Sequence, residues 1–509
     1  MIALLLFGSF FLFLGLGVPV AFSLGLSAVV TLITTDGVQV LDVVPSVMFP
    51  SMSSGTLLAI PFFILAGIVM QHTGISQRLV DLAFLIFGRF SHGLAAVTII
   101  SAFFFSAISG SGPATVAAIG AILIPALVRN GYQKKHAVSL VAASGSMGIV
   151  VPPSIAFIVF AVVAAEFGQI SISRLFIAGI VPGIIMALAF FVAAMFVPRV
   201  RELAGLPAKA KTGAGVSVGS TTTGTSTAGS IDADGSVGSA GNSAAGDRTQ
   251  LLTTNGKSAS ASSGSGAAGA LGSGAADPMV VGNTAGGFAE IMAALIKAIP
   301  GLLIPLIILG GIYGGTFTPT EAGAVASVYA LVVGLFVYRE LTWKDMPKVF
   351  LESGVSTAVI MFIVGVASLF SYVITVEGVA ERISTAVLGV TDNKYLILAV
   401  TTIILLIVGA FVDAISAFYL FIPILVPILI GVGVDMTTIG VFMTANLAIG
   451  LFTPPVGLNL YVGAGIGKIK LEEVVRGVLP FLICAIIALL LITYIPAISN
   501  WLPDLLGVG

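Results

Sequence analysis

The 509-residue chain has little charge: 8% of its residues are Asp, Glu, Lys or Arg, against about 25% in a soluble globular protein. It cannot cover itself with a solvated surface. Its 58% of hydrophobic residues and mean hydropathy of +1.16 require a bilayer. The 21 basic and 22 acidic residues nearly cancel, so the total charge indicates no polyanionic partner and no nucleic acid, and only its placement informs. The single cysteine, Cys484, excludes an intrachain disulfide and a thiolate metal site. It lies in the apolar run 479–494 and reads as a small buried hydrophobe. The three histidines, His72, His92 and His136, are scattered over links between apolar runs, too dispersed for a shared metal site. No nucleophile–base pair, phosphate loop or metal-ligand spacing occurs, so an enzyme, even one acting on lipid, lacks a catalytic constellation. Residues 1–30 lack the basic n-region of a cleaved signal peptide and read as a retained span.

What the chain does have is one unit written twice. Residues 104–127, FFSAISGSGPATVAAIGAILIPAL, are followed by 143–156, ASGSMGIVVPPSIA. Their partners are 406–429, LIVGAFVDAISAFYLFIPILVPIL, and 445–458, ANLAIGLFTPPVGL. Pro152-Pro153 matches Pro454-Pro455, Gly148 matches Gly450 and Pro125 matches Pro427, each pair 302 positions apart (454 minus 152, 450 minus 148, 427 minus 125). In each copy one apolar run breaks at small and polar residues, and the next breaks at Gly-x-x-x-Pro-Pro. Paired interruptions of this kind mark a transporter with internal repeats.

Spanning takes roughly 20 apolar residues, and about six hydrophobic units fall in each half. The expected architecture is an all-α polytopic membrane protein with two inverted repeats, 1–200 and 288–509. Each repeat carries a re-entrant hairpin, 91–128 or 395–430, and a broken helix, 137–165 or 440–463. The hairpins are expected to re-enter because 91–128 is too long for one span and basic residues of both its flanks, Arg89 and Lys134 among them, would then share a side. Segments 72–90 and 377–389 read as amphipathic and interfacial. Between the repeats, 201–287 is rich in Gly, Ser, Ala and Thr, has no apolar period, and reads as a flexible linker. Placing the base of the first hairpin inside and that of the second outside leaves only Arg174, Arg382 and Lys394 outside, as retention of basic residues in cytoplasmic loops demands.

Broken helices expose unpaired carbonyls and amides, which can hold ions without a buried charge. The breaks add the hydroxyls of Ser106, Ser109, Ser111 and Ser144 in the first repeat, and Asp413, Ser416, Asn446 and Thr453 in the second. Each hydroxyl also has a plain reading as a packing group. Nearly neutral oxygen sites suit Na⁺ better than a transition metal. Two sites are expected: Ser109 and Ser111 with Gly148 and Val151, and Asp413 with Asn446, Gly450 and Thr453. Ser111, Pro153 and Pro455 are the candidate substrate contacts. Asp413 interrupts an apolar run, where a carboxylate costs about 2.5–3.5 kcal/mol on insertion scales unless partnered. Ser416, just beyond the tip, is expected only to pack the hairpin. Glu321, following Pro319-Thr320, reads as a helix-start residue.

On several of these residues the sequence resembles the large, DctM-like membrane subunit of tripartite ATP-independent periplasmic (TRAP) transporters. The resemblance rests on Leu16-Gly17-Val18-Pro19, Ile108-Ser109-Gly110-Ser111-Gly112, residues 148–153, Thr318-Pro319-Thr320-Glu321-Ala322, residues 411–414, and the run from Asn446 to Asn459. It covers nearly the whole chain except about 201–287, where the family normally has a short loop. It implies a multi-pass protein of a bacterial inner membrane that imports organic acids, such as C4-dicarboxylates, with Na⁺ as coupling ion. It also implies an elevator-type motion, a small four-helix membrane subunit and a periplasmic substrate-binding protein as partners. A self-sufficient Na⁺/carboxylate symporter of related architecture is the alternative.

Overall fold

In hydrocarbon every backbone amide and carbonyl must find its partner within the protein, which leaves helices as the economical solution for apolar runs of this length. The structure, a computed structural model, describes residues 2–88, 90, 92–197 and 288–508, and all its regular elements there are helical. The linker expected at 201–287, and Arg89, lie outside the described residues. Eight described helices are long and apolar enough to cross a membrane, or up to nine if the pair bent by 67° at residues 73–74 counts as one span.

The first half contains α1 (Ile2–Gly15), α2 (Val20–Asp36), α3 (Val43–Met52), α4 (Ala59–His72) and α5 (Ile75–Phe87). It continues with α6 (Gly93–Ser109), α7 (Gly112–Arg129), α8 (Lys134–Gly145), a 3-10 turn (Ser146–Ile149), α9 (Ile155–Ala164) and α10 (Ile172–Met195). The second half contains α11 (Phe288–Tyr313), α12 (Pro319–Val332), α13 (Met346–Val376), α14 (Val379–Val390), α15 (Lys394–Phe411) and α16 (Ala414–Gly431). Then follow α17 (Met436–Gly450), α18 (Leu458–Gly467), α19 (Leu471–Tyr494) and α20 (Ala497–Leu505).

Local chemistry sets many of these limits. Thr318 and Glu321 form a reciprocal capping box at the start of α12, satisfying two amides that the first turn leaves unpaired. Asn393 caps α15, Asp413 caps α16 and Asp435 caps α17, each through its side-chain oxygen. The amphipathic segments form α5 and α14, and each starts after a glycine in the left-handed region, Gly74 at φ 62° and Gly378 at φ 61°. Two helices have no counterpart in the sequence reading. One is α3, which carries Pro45 and Pro50; the other is α20, which carries Pro503.

The interior belongs to the broken helices. In α8, the 3-10 turn and α9, every residue from His136 to Ala161 is buried, and so is every residue of α17 from Thr437 to Gly450. A helix that is apolar all round belongs in a core, with other helices between it and lipid. On α15, by contrast, Leu396, Val400, Ile403, Ile407 and Phe411 form an exposed stripe at helical spacing, as a lipid-facing surface requires.

Cross-contacts fix the relative direction of the two broken helices. Lys134, at the start of α8, donates from Nζ to the carbonyl of Lys468, just past the end of α18. Arg174, beyond α9, donates from Nε to Thr437 Oγ1 at the start of α17. Midway, the glycine faces of α18 pack on α8, where Gly463 and Gly467 both meet Val138, while Gly440 of α17 meets Phe160 of α9. The first broken helix therefore begins where the second ends. That antiparallel crossing is the inversion expected from the basic residues. Arg174 also ties α20 into this end, through Asp504, Asn500 and the carbonyl of Val508.

Candidate ion and substrate site

The hairpin tips meet the broken helices at their breaks. α6 ends in Gly110 at φ 59°, Ser111 is extended, and α7 begins at Gly112 with Pro113 in its first turn. A two-residue link of this kind needs a residue that tolerates the left-handed region, and Gly110 supplies it. A Cβ on Gly148 would lie 2.5 Å from the Ser111 carbonyl oxygen and 2.9 Å from the Gly112 amide. Only glycine lets the break approach the tip so closely. A Cβ on Gly110 would lie 3.3 Å from the Pro153 carbonyl oxygen, and one on Gly67 of α4 would lie 3.4 Å from Ser109 Cα. The tip of the first hairpin therefore packs directly on the break of the first broken helix.

At this first tip Ser109 Oγ shares a hydrogen bond with Thr115 Oγ1 at 2.8 Å and donates to the Ser111 carbonyl at 3.2 Å. Thr115 Oγ1 donates to the same carbonyl at 2.8 Å. Ser109, Ser111 and Gly148 are thus brought together as expected, with the Ser111 carbonyl at the centre. The Val151 side chain packs toward Gly183 of α10, and the expected contribution of Val151 is its backbone carbonyl. Thr115 escaped the sequence reading, although its position four residues after Ser111 on a helix start was the signal.

The second tip uses a different part of its hairpin. Gly450, the counterpart of Gly148, faces Gly409: a Cβ on Gly450 would lie 2.5 Å from Gly409 Cα. The Gly457 amide donates to the Ala410 carbonyl at 3.0 Å. Asp413 accepts from the amides of Ile415 and Ser416 and from Ser416 Oγ at 2.6 Å, so its hydrogen bonds stay within its own hairpin. Ser416 is therefore a partner of the carboxylate as well as a packing residue. Thr453 Oγ1 donates to the Ile449 carbonyl, and Asn446 Nδ2 donates to the Phe442 carbonyl.

Asn446 Oδ1 is buried and has no partner, as are Ser106 Oγ and Ser144 Oγ of the first half and Asn459 Oδ1 of α18. Leaving a buried acceptor unsatisfied costs about 1–3 kcal/mol, so the four of these atoms that lie on the hairpin tip and broken helices are candidates for a ligand; others, such as Ser76 Oγ and Tyr313 Oη, lie elsewhere. Among the described residues the fully buried polar side chains are Ser, Thr, Asn and His136, and none is Asp, Glu, Lys or Arg. The histidines have separate partners, His72 with Glu352 and His136 with the Gly477 carbonyl.

The expected substrate contacts differ in access: Ser111 is half-buried, Pro153 is buried and Pro455 is exposed. A cavity of about 310 Å³ lies between α5 and α11, lined by Arg78, Asp81, Glu290 and Lys297, and one of about 600 Å³ at the end of α18 includes Tyr461, Lys468 and Glu473. Neither is lined by an expected site residue.

The chain matches the family described as "Tripartite ATP-independent periplasmic transporter, DctM component" over residues 7–233 and 256–498. It is 36% identical over 493 residues to the isethionate TRAP transporter permease protein DctMQ of Oleidesulfovibrio alaskensis, covering 97% of this chain and 65% of that protein. It is also 36% identical over 489 residues to the C4-dicarboxylate TRAP transporter large permease protein DctM of Pseudomonas aeruginosa, covering 96% of this chain and 95% of that one. Among solved structures, the Alcanivorax borkumensis YdaH transporter, whose topology is described as unusual, superposes with a TM-score of 0.54 at 16% identity, over 94% of this chain and 90% of that chain. The last likeness concerns the fold alone.

Proposed function

We propose a function from one premise: the chain belongs to the DctM family, the large permease component of tripartite ATP-independent periplasmic transporters, and is a multi-pass inner-membrane protein. It imports an organic acid, a C4-dicarboxylate or related carboxylate, driven by a Na⁺ gradient. The observation that carries this reading is the pair of buried breaks, each met by a hairpin tip, with buried side-chain oxygens of Ser106, Ser144 and Asn446 on those elements left without partners.

The residues fit Na⁺. A hard cation takes oxygen donors rather than imidazole or thiolate, and carbonyls, hydroxyls and carboxamides are what the breaks present. At the first site Ser109, the Ser111 carbonyl and backbone oxygens near Gly148 and Val151 would hold the ion. At the second, Asn446, Thr453 and backbone oxygens near Gly450 would do so, with Asp413 fixing the tip. Bound Na⁺ would supply positive charge beside the tips for an anionic substrate, and Ser111, Pro153 and Pro455 would border it. The tips and broken helices move together as an elevator against the outer helices.

Two partners complete the system: a small four-helix membrane subunit and a periplasmic protein that delivers the substrate. The chain spans 65% of the length of the relative named DctMQ. Two relatives at equal identity carry different substrate names, isethionate and C4-dicarboxylate, so overall likeness does not select the acid.

Uptake in proteoliposomes tests the proposal. With the small subunit and a loaded binding protein present, an inward Na⁺ gradient should drive accumulation without ATP. Undiminished uptake with Na⁺ replaced by choline would remove the ion from the mechanism. Full uptake by this chain alone would replace the three-component reading with a self-sufficient symporter.

A further inference from the structure

Asn459 stands in the first turn of α18, in the second repeat, yet its side chain works in the first. It is fully buried. Its Nδ2 donates to the Ala142 carbonyl at 3.1 Å, close to the point where α8 gives way to the 3-10 turn. A carbonyl can only accept, so this bond fixes the orientation of the amide and turns Oδ1 the other way. There Oδ1 has no hydrogen-bond partner. It faces the first hairpin tip: a Cβ placed on Gly112 would lie 3.1 Å from Oδ1 and 3.3 Å from Nδ2. Gly112 is also the residue whose amide and preceding carbonyl crowd Gly148.

The surroundings hold this amide firmly. The Asn459 amide nitrogen donates to the Leu451 carbonyl at 2.9 Å, which ties the start of α18 back across the second break. Further along α18, Gly463 and Gly467 close on Val138 of α8. The counterpart of Asn459 in the first repeat is Phe157, which packs against Gly179, so the polar function belongs to one repeat only. An acceptor held rigidly, buried, with its donor side already used, is arranged to meet a cation or a donor. Gly112, which Asn459 approaches, follows Ser111, whose carbonyl accepts from Ser109 Oγ and Thr115 Oγ1.

Resting on the Na⁺ reading above, we infer that Asn459 is a further ligand of the cation held at the first hairpin tip, supplied by the opposite repeat. One ion is then held by oxygens from both halves. Its binding draws α18 and the first hairpin together, so loading the first site reports directly on the geometry of the second break through the Asn459–Leu451 bond.

The test compares Asn459→Asp with Asn459→Leu in the purified full-length chain, reading Na⁺-dependent thermal stabilisation against choline. Both variants keep the side-chain volume and lose the amide donor to Ala142; only Asp keeps an oxygen at the position of Oδ1. The midpoint Na⁺ concentration should stay within about threefold of wild type for Asp and rise about tenfold or more for Leu, the scale expected on loss of a metal-site contact. Equal midpoints for the two variants, or a wild-type midpoint for Leu, would overturn the inference and leave Asn459 a packing clamp. Asn459→Ala replaces the Leu variant if the latter does not fold. A wild-type chain that Na⁺ stabilises no more than choline would instead overturn the ion reading on which this one stands.

Discussion

The carboxamide of Asn446 carries the one oxygen of the second site that is buried and lacks a partner. Replacing Asn446 by Ala should therefore raise the Na⁺ concentration for half-maximal uptake by about tenfold, more than it lowers the amount of protein in the membrane. Ser109→Ala should act in the same direction, because Ser109 Oγ is part of the first tip's oxygen cluster. Thr402 is the proper reference. It is buried in α15 and donates only to the Leu398 carbonyl of its own helix, so Thr402→Ala should keep the wild-type Na⁺ dependence. Equal Na⁺ dependence in all three variants would refute the assignment. Side-chain identity singled out Asp413, since a carboxylate in an apolar run is conspicuous, and gave no reason to single out Asn459. The structure shows Asp413 absorbed in capping α16 by its own hairpin and Asn459 left with a free acceptor, its amide oriented by the Ala142 carbonyl 317 residues away, which no local pattern encodes.

Among elements, the two breaks depend on glycine at the point of closest approach. A methyl on Gly148 or Gly450 would sit 2.5 Å from backbone atoms of the facing tip, and backbone cannot yield as a side chain can. Overpacking of this kind costs about 1–3 kcal/mol, so Gly148→Ala and Gly450→Ala should each lower the melting temperature and abolish most uptake. Gly354→Ala, in α13 with nothing within 4 Å, should leave activity intact and slightly stabilise the helix; a comparable loss there would indicate a general intolerance and undercut the argument. The hairpins, broken helices and amphipathic pair were legible because Gly, Pro and Ser interrupt long apolar runs at repeated positions. α3 and α20 were not, because proline within a short apolar stretch reads as a break. In the fold those prolines are accommodated within short helices, and α3 is held by packing of Met48 and Met52 on Gly365.

For the molecule as a whole, the repeat and its inversion could be read from fixed spacing and from the sidedness of Lys and Arg, both of which are properties of the chain. The difference between the two tips could not, since it arises from which hairpin arm each break admits. Composition also makes a prediction for the residues between the repeats: replacing 213–275 with a short Gly/Ser segment should leave uptake within about threefold, because such a tether sets reach and not site geometry. Complete loss at normal membrane levels would show a specific role. A last consequence follows from the buried polar groups, which among the described residues include no Asp, Glu, Lys or Arg. With Na⁺ as the proposed coupling ion, the half-buried Asp413 carboxylate at the second tip travels in both directions of the cycle and cancels, so the membrane potential acts on the difference between transported Na⁺ and substrate charge. Each uncompensated charge gains about 2.3 kcal/mol per 100 mV. Initial uptake rates measured under potassium–valinomycin potentials of increasing inside-negative voltage should therefore rise in proportion to that excess, and a flat response would mean that ion and acid cross as an electrically neutral set.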